Sequence, residues 1–495
     1  MTEHENMPPG GYDVIVVGAG GAGPAAAAAA LEGGARRVAI LEARNKAGGN
    51  AVFATGFYAC ESPVQRAGLV DVPRDQVFKR AMDFHHGAMV NPRVLRAYID
   101  KSGDTIRWLM DKGMEFTIGS DFKMAFNQEP TWHLPKKETK SGHDYVRCGE
   151  VVKVLLEEVR SKGSDLLLDT EVLNLLTNEH GAVRGVLVRG GDGVPSELEA
   201  PAVILATGGF HGNEEMLRRY FWFHGPSLDG FRVKMDGSGI TMAQQAGAAL
   251  EPYATLIKET SFSSDHPKEG GLGISTREPD TIWVNRLGRR FTDETCAIHL
   301  QTGANPLVMQ PGAIGFALYD DAKVQDVVDN GWLVPRLPPM GTDKVLREQL
   351  ARASVKGEWC KVCDNLDEIA AWIGAEPSVL RAEIEEYNAG CARGHDAVFA
   401  KDRRYLRPLS KPPYHAVRFR PMIIDTAGPV RVDETMRVLG SDYTPVPGLY
   451  AAGALAAGWQ GQDYCGQHLF GSALGFALNS GRIAGESAAA QVSAE

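Results

Sequence analysis

The residues near the amino terminus carry the pattern that most restricts the fold. An apolar run rich in β-branched residues, YDVIVV at 12–17, meets GAGGAG and then the alanine-rich PAAAAAALEGGA, and a second apolar run, VAILEA, follows at 38–43. A strand, a tight glycine turn, a helix and a second strand in this order form a βαβ unit. The chain therefore begins with the opening unit of a Rossmann-like α/β domain.

The glycine spacing inside this unit predicts a dinucleotide site. Gly18, Gly20 and Gly23 form the spacing GxGxxG, and Glu42 stands at the end of the second strand, nineteen residues after Gly23. In such a site the first glycine allows the turn, the second lets the pyrophosphate approach the backbone, and the third lets the helix pack closely. The helix amino terminus offers N–H groups to the phosphates, and the acidic residue accepts hydrogen bonds from ribose hydroxyls.

The rest of the chain divides by composition into three segments. Apolar runs predict strands at 166–176, 182–190 and 202–209, and helical patterns lie at 92–112 and 150–162. From about 251 to 413 prolines and charges increase, with helical patterns at 343–355, 366–374 and 377–391. We predict a dinucleotide-binding domain at 1–250 and 414–495, with a mixed sheet, and an inserted α+β cap domain at 251–413.

Composition excludes several classes of protein. Glycine is abundant, 56 of 495 residues, which indicates many tight turns or close approaches of backbone to a ligand. The 52 basic and 62 acidic residues give a net charge of −10 without long runs of one sign, which argues against a nucleic-acid partner. Seven dispersed cysteines favour a reducing compartment. With no secretory signal and no apolar run long enough to span a bilayer, we expect a cytoplasmic protein.

Four ordered motifs resemble the flavin contacts of a known family. They are EARNKAGGNAVFATG at 42–56, ATGGF at 206–210, GLYAAGA at 448–454 and GSALGFALNSGRIAG at 471–485. Together they resemble the fumarate reductase and succinate dehydrogenase flavoprotein family, over nearly the whole chain. The resemblance implies FAD as the cofactor. It also implies a helix near Ser472 whose N–H groups stabilise the negative charge that develops on the flavin pyrimidine during reduction.

The glycine motif and the resemblance together give one predicted set of FAD-binding residues. These are Gly18, Ala19, Gly20, Gly23, Glu42, Ala43, Gly49, Asn50, Ala51, Thr55, Gly56, Val172, Thr207, Gly208, Gly453, Ala454, Ser472, Ala473 and Leu474.

The same comparison bears on how the flavin is held and how electrons reach it. Covalently flavinylated members of the family carry a histidine soon after the GG turn, where this chain reads NAVFATG, so we expect non-covalent FAD. No second GxGxxG follows a strand, and the lone CxxC at Cys360 and Cys363 supports neither haem nor an iron–sulfur cluster. We predict no metal site, and we expect an external electron donor or acceptor.

Three departures from the family pattern concern its grip on carboxylates. The segment N-x-x-G-x-R-F-x-x-E is intact from Asn285 to Glu294, but the catalytic arginine expected four residues later is Ile298, followed by His299. The family's substrate-binding arginine falls on His468, and its histidine before TMGG falls on Asp425. Because guanidinium groups are the natural clamps for carboxylates, the departures argue against fumarate or succinate as substrate.

Four residues are predicted to carry the chemistry. The loop 463–468 slightly resembles the Tyr-Pro-Gly-x-Gly segment of 3-ketosteroid Δ1-dehydrogenases, which places Tyr464 at a ketone oxygen or in proton transfer. His468 lies between two flavin motifs, and His299 follows the lost arginine position. Arg290 is the fourth candidate, with a structural role at the cap hinge as its alternative.

The predicted function is an FAD-dependent oxidoreductase that dehydrogenates or reduces a carbon–carbon bond adjacent to a carbonyl. The substrate is a small molecule such as a ketosteroid-like ketone or another enoate. Two alternatives stay open: a flavin amine or amino-acid oxidase, which also begins with this βαβ unit, and a non-catalytic nucleotide-binding protein. The sequence leaves the direction of the reaction, the electron partner and the oligomeric state undetermined.

Overall fold

The computed structural model describes residues 11–119, 130–137, 145–222, 229–230, 233, 235–261, 270–298, 301–334 and 344–494. Its strands are β1 Val14–Val17, β2 Val38–Leu41, β3 Phe57–Tyr58, β4 Glu115–Ile118, β5 Trp132–Lys136, β6 Asp165–Leu167, β7 Glu171–Thr177, β8 Val183–Arg189, β9 Pro195–Glu199, β10 Ala202–Leu205, β11 Asp229–Gly230, β12 Thr255–Ser261, β13 Ile282–Val284, β14 Gly315–Asp320, β15 Cys360–Cys363, β16 Tyr414–Ala427, β17 Arg437–Leu439 and β18 Pro445–Ala451.

The helices complete the list of elements. They are α1 Ala22–Glu32, α2 Pro63–Ala67, α3 Arg74–Phe84, α4 Pro92–Asp111, α5 Gly149–Ser161, α6 Glu214–Tyr220, α7 Ser238–Gln245, α8 Gly270–Ser275, α9 Ala304–Val308, α10 Asp321–Asn330, α11 Leu346–Lys356, α12 Leu366–Ile373, α13 Pro377–Arg393 and α14 Ser472–Ala494. None of the described helices is long and apolar enough to cross a membrane.

The predicted βαβ unit forms the centre of a six-stranded sheet. The strand order is β17-β18-β10-β1-β2-β6, and every pairing is parallel except that of β17 with β18. Strands β1, β2 and β10 are buried along their whole length, which is why they read as continuous apolar runs in the sequence. The Rossmann-like fold with a mixed sheet is thereby confirmed.

Small residues allow α1 and α14 to pack closely. Residues Ala22 to Ala30 of α1 are buried, and α14 presents Gly481 and Gly485 to that helix. A Cβ at Gly481 would lie 2.3 Å from the carbonyl oxygen of Ala22, and one at Gly485 would lie 2.1 Å from that of Ala26. The two helices therefore approach each other through backbone, with the first residue of α1 beside Gly481, the tenth residue of α14.

A second sheet belongs to the cap. Its order is β11-β16-β14-β13, with β12 and β15 also paired to β16. The helices α12 and α13 cover one face of this sheet around a separate apolar core that includes Leu318, Ile369 and Leu380. Since β16 continues to Ala427 within this sheet, we propose that β12 and β16 are the strands that connect the cap to the dinucleotide-binding domain, whose predicted boundaries were 250 and 414.

One of the predicted strands is wrong. The run at 166–176 forms two strands in different sheets, because the chain turns between them at Asp169, whose φ is +49°. The amides of Asp169 and Thr170 donate hydrogen bonds to the carbonyl oxygens of Arg44 and Glu42. The turn therefore holds β6 and β7 against the segment that follows β2.

Candidate active site

A cavity of about 920 Å³ lies where the carboxyl ends of the parallel strands meet the cap. The glycine turn after β1, the segment at 49–55 and the amino terminus of α14 form its inner walls, and β12, α8 and β16 form its cap end. Ligands of open α/β sheets bind at this edge, because the strand-to-helix loops and the helix amino termini converge there.

The glycines of the turn have separate structural roles. A Cβ at Gly23 would lie 1.9 Å from the carbonyl oxygen of Gly18, so the turn can close only on a glycine. At Gly20, in contrast, no atom of the described residues lies within 4 Å of a Cβ position, and the residue lines the cavity. The space beside Gly20 is therefore open for a ligand, as close approach of a pyrophosphate requires.

Glu42 is held at the end of β2 by two backbone amides. Ala19 N–H donates to one carboxylate oxygen at 3.0 Å, and Arg44 N–H donates to the other at 3.1 Å. The carboxylate lines the cavity. Each oxygen keeps a further lone pair for the hydroxyls of a ribose.

Orphaned polar atoms test whether the cavity fits a dinucleotide. Among the residues that the structure describes, neither side-chain polar atom of Asn50 has a hydrogen-bond partner, and neither does the hydroxyl of Thr207. Both residues line the cavity. An unpartnered buried polar group costs about 1–3 kcal/mol, so these side chains fit a ligand rich in hydrogen-bonding groups, such as FAD.

The amino terminus of α14 is organised by Tyr464. The Tyr464 hydroxyl accepts hydrogen bonds from Ser472 Oγ at 2.9 Å and from the Ala473 amide at 3.0 Å. Burial raises the pKa of Tyr464 to about 12, although these two bonds act in the opposite direction. Ala473 and Leu474 line the cavity, whereas Tyr464 and Ser472 lie directly behind them. Tyr464 thus fixes the helix end that faces the cavity.

The cap end of the cavity is mainly apolar. Its walls include Ile257, Ile274, Met422, Ile424 and Trp459. Three charged residues of the cap end also line it, namely Glu259, Arg277 and Asp425.

Arg277 is occupied by neighbours within the protein. Its guanidinium lies 3.3 Å from a carboxylate oxygen of Glu259 and donates two hydrogen bonds to the carbonyl oxygen of Thr260, from Nε at 3.0 Å and from Nη2 at 2.5 Å. The positive charge of Arg277 is therefore balanced before a substrate arrives.

Most of the predicted FAD-binding residues come together on this cavity. Those that line it are Gly18, Gly20, Glu42, Ala43, Gly49, Asn50, Ala51, Thr55, Val172, Thr207, Gly208, Gly453, Ala454, Ala473 and Leu474. Ala19, Gly23, Gly56 and Ser472 stand behind the wall. Gly56, for example, packs against strand β5, since a Cβ there would lie 2.5 Å from the carbonyl oxygen of His133. These four support the wall through backbone packing or hydrogen bonds.

Of the four predicted catalytic residues, the three that the structure describes do not line the cavity. Tyr464 lies just behind the α14 amino terminus, as described above. His468 is half-buried beside Phe84, with ring centroids 6.0 Å apart, and does not line the cavity. His299 lies outside the described residues.

Arg290 is buried inside the cap, away from the cavity wall. It donates to Glu294 at 3.0 and 2.9 Å and to Asp396 at 3.2 and 2.9 Å. Burial by itself would raise the pKa of Glu294, but the Lys401 and Arg290 cations hold it below its ordinary value. The network supports the structural alternative for Arg290.

Several lining residues were missed by the sequence prediction. Ile257, Glu259 and Met422 belong to β12 and β16, where Glu259 pairs directly with Met422. Side chains on a strand alternate between its two faces, so the sequence offers two candidate sets of residues and only the pairing shows which set faces the cavity. Arg277 and Trp459 carried no motif that would single them out.

Comparison with known proteins identifies the family. A model of the FAD binding domain family matches residues 13–467. The chain belongs to the FAD binding domain family. FAD is therefore its cofactor, in agreement with the orphaned polar atoms of the cavity, and the protein is an FAD-dependent oxidoreductase of the fumarate reductase type.

Two relatives and one solved structure show what this chain is similar to. The chain is 28% identical to vinyl phenol reductase of Lactiplantibacillus plantarum, over 97% of this chain and 96% of that protein. It is also 28% identical to fumarate reductase (cytochrome) of Shewanella frigidimarina, over 96% and 77%. The crystal structure of 3-ketosteroid Δ1-dehydrogenase from Sterolibacterium denitrificans shares the fold with a TM-score of 0.76 at 20% identity, covering 97% of this chain and 99% of that chain.

Proposed function

We propose that the enzyme reduces or desaturates a carbon–carbon bond next to a carbonyl in a mid-sized, largely apolar substrate. Ketosteroid-like ketones and other enoates are the substrate classes that fit, in preference to fumarate or succinate. The observation that carries this proposal is the composition of the cap end of the cavity, where Ile257, Ile274, Met422, Ile424 and Trp459 surround charges that are already engaged.

The charges of the cap end disfavour a dicarboxylate. Among the described residues that line this end, Arg277 is the one cation, and Glu259 and Asp425 are two anions. Arg277 is bound to Glu259 and to the Thr260 carbonyl. A dianionic substrate would thus meet a net negative wall and a guanidinium whose charge is already offset by Glu259, which disfavours binding of the dianion.

The FAD-binding residues that we propose hold the cofactor without a covalent link. Glu42 would accept the ribose hydroxyls, the open space at Gly20 would admit the pyrophosphate, and Asn50 and Thr207 would supply hydrogen bonds. The family's attachment histidine is replaced here by the segment NAVFATG, and none of the described lining residues is a histidine.

Bound FAD supplies the atom that gives or takes a hydride. The chain positions and stabilises the reacting groups around it. The Tyr464 hydroxyl orients the Ser472 side chain and the Ala473 amide, so the positive end of α14 faces the cavity and stabilises negative charge there. The apolar walls exclude water from the reacting carbons.

Electrons must come from or go to an external partner, and the direction of the reaction follows from that partner. We propose a small-molecule or protein donor or acceptor outside this chain. Of the four residues predicted to be catalytic, we retain Tyr464 as a positioning residue beside the flavin and propose a structural role for Arg290. The roles of His468 and His299 stay predictions from the sequence.

A spectroscopic experiment tests the proposal. The purified protein is precipitated with acid, and release of FAD into the supernatant would support non-covalent binding. The holoenzyme is then mixed anaerobically with saturated ketones, and the reduced holoenzyme with enones, enoates and fumarate. We expect bleaching of the visible flavin band by a ketone, or rapid return of the band with an enone. Faster reaction with fumarate than with every enone and enoate would refute the assignment of substrate class.

A further inference from the structure

A histidine and an aspartate face each other behind the cap end of the cavity. His211 follows the glycine turn after β10, and its side chain is fully buried, with 0% exposed. Asp425 lies near the end of β16, lines the cavity and keeps 16% of its side chain exposed. His211 Nδ1 is 3.5 Å from Asp425 Oδ1.

The hydrogen bonds of His211 fix which ring nitrogen carries its proton. Nε2 lies 2.7 Å from the carbonyl oxygen of Val233. A carbonyl only accepts, so Nε2 must carry a hydrogen and donate it. In a neutral imidazole Nδ1 would then be a bare lone pair, and among the described residues it has no hydrogen-bond partner. The lone pair would point towards the carboxylate of Asp425.

Two facing acceptors in a buried place favour a proton between them. An ionised Asp425 and a neutral His211 would set two lone pairs against each other, with Nδ1 left as an orphaned buried acceptor. One proton, on either atom, replaces this repulsion with attraction, and a charge-assisted hydrogen bond forms once the 3.5 Å separation shortens to about 2.7–2.9 Å. The Thr426 amide donates to Asp425 Oδ1 at 2.8 Å and thereby holds the carboxyl group in place.

The residues around His211 and Asp425 leave the Asp425 carboxyl group facing the cavity. A Cβ at position 209 would lie 2.8 Å from Asp425 Oδ1, so the chain can pass here only because this residue is Gly209. Asp425 lines the same cavity as Ala473 and Leu474 at the amino terminus of α14. The other titratable groups of the cap end, Glu259 and Arg277, are paired with each other.

We propose that Asp425 and His211 share one proton and that Asp425 is the residue that transfers it to or from the substrate carbon. This inference rests on the proposed function. In the direction of reduction, one carbon of the double bond would take the hydride that bound, reduced FAD supplies, and Asp425 would give its proton to the neighbouring carbon. The C=C π bond breaks, two C–H bonds form, the flavin is oxidised, and the pair regains a proton from solvent. Desaturation is the reverse.

Two substitutions separate transfer from positioning. Asp425→Asn keeps the shape of the side chain but cannot give up a carboxyl proton. We expect it to lower kcat by about 100-fold or more, the usual effect of losing a general acid, with little change in KM. His211→Gln can still donate a hydrogen bond but cannot share the proton, so a smaller loss is expected. Asp192→Asn, on an exposed loop, is the matched control and should leave kcat unchanged.

A readout that does not depend on turnover examines the proton itself. Infrared spectra of protein with ¹³C-carboxyl aspartate should show the C=O stretch of a protonated carboxyl, absent in Asp425→Asn and shifted in His211→Gln. If the proton resides on the imidazole instead, ¹⁵N-histidine NMR should show an imidazolium that disappears in His211→Gln. Either result supports the shared proton. A spectrum with neither signal would overturn it.

The outcomes keep this inference apart from the proposed function. A detected proton together with wild-type kcat in Asp425→Asn would overturn the catalytic role of Asp425. If wild type turns over none of the ketones, enones or enoates, the proposed function fails, and the role of Asp425 in it fails as well. The infrared and NMR spectra would still decide whether the pair holds a proton.

Discussion

Replacing Gly20 with alanine should weaken FAD binding without weakening the fold. No atom of the described residues lies within 4 Å of the added Cβ, and the φ of Gly20 is outside the left-handed region, so the apoprotein accommodates the methyl group. Removing a glycine also reduces the freedom of the unfolded chain, which stabilises a protein by about 0.4–1 kcal/mol where the backbone permits it. We therefore expect the unfolding temperature of the apoprotein to stay the same or rise slightly.

The methyl group would instead occupy space that the ligand needs. It projects into the cavity beside the glycine turn, where the pyrophosphate approaches the backbone. Losing one charge-assisted hydrogen bond would weaken binding by about 1.5–3 kcal/mol. At 1.4 kcal/mol for each tenfold change, this corresponds to a roughly 10- to 140-fold increase in Kd.

The assay compares three variants in two measurements. FAD is titrated into apoprotein and followed by quenching of flavin fluorescence, and the thermal unfolding of each apoprotein is followed by circular dichroism. Gly191→Ala, on an exposed loop with open space around its Cβ, controls for the substitution itself. Gly23→Ala should fail in the opposite way, because its Cβ would lie 1.9 Å from the Gly18 carbonyl oxygen and the fold would be destabilised. Wild-type FAD affinity in Gly20→Ala, or an apoprotein as unstable as Gly23→Ala, would refute the reasoning.

Three further predictions concern stability. Gly485→Ala places a Cβ 2.1 Å from the Ala26 carbonyl oxygen and should destabilise the protein by about 1–3 kcal/mol through overpacking, measurable as a lower Tm than that of Ser487→Ala on the same helix. Arg290→Met leaves Asp396 buried without its cation and Glu294 with Lys401 as its remaining cation, and should cost about 3–5 kcal/mol, while the flavin spectrum of the folded fraction stays unchanged; a change in that spectrum would contradict a structural role. Burial lowers the pKa of His133 to about 4 from 6.5, so between these pH values the unfolded chain binds a proton that the native state does not. The free energy of unfolding should therefore keep its full value above pH 6.5 and fall between pH 6.5 and 4, by at most about 3 kcal/mol for this histidine. His133→Gln should reduce the slope of that part of the pH–stability curve, to which His85 and His415 also contribute because burial lowers their pKa values to about 4, and an unchanged slope would count against the burial argument.

Local sequence determined the fold of the cofactor half and most of its site. The glycine turn, the alanine-rich α1 and the apolar strands β1 and β2 are consecutive in the chain, and each follows from short-range sterics or from the demand that buried strands be apolar. Gly18, Gly20, Glu42 and their neighbours were therefore found from spacing. FAD was predicted from the four ordered motifs that resemble the family's flavin contacts.

The substrate side depended on contacts between distant segments. Whether Glu259 or Lys258 faces the cavity depends on how β12 pairs with β16, because a strand alone can present either face. Glu259 and its partner Met422 are 163 residues apart in the sequence. The pairing of Arg277 with Glu259 and the approach of His211 to Asp425 likewise join segments that the sequence leaves unconnected. The chemistry at this end of the cavity depends on which side chains lie next to each other. Only the tertiary structure decides this, because long-range packing rather than local propensity brings those side chains together.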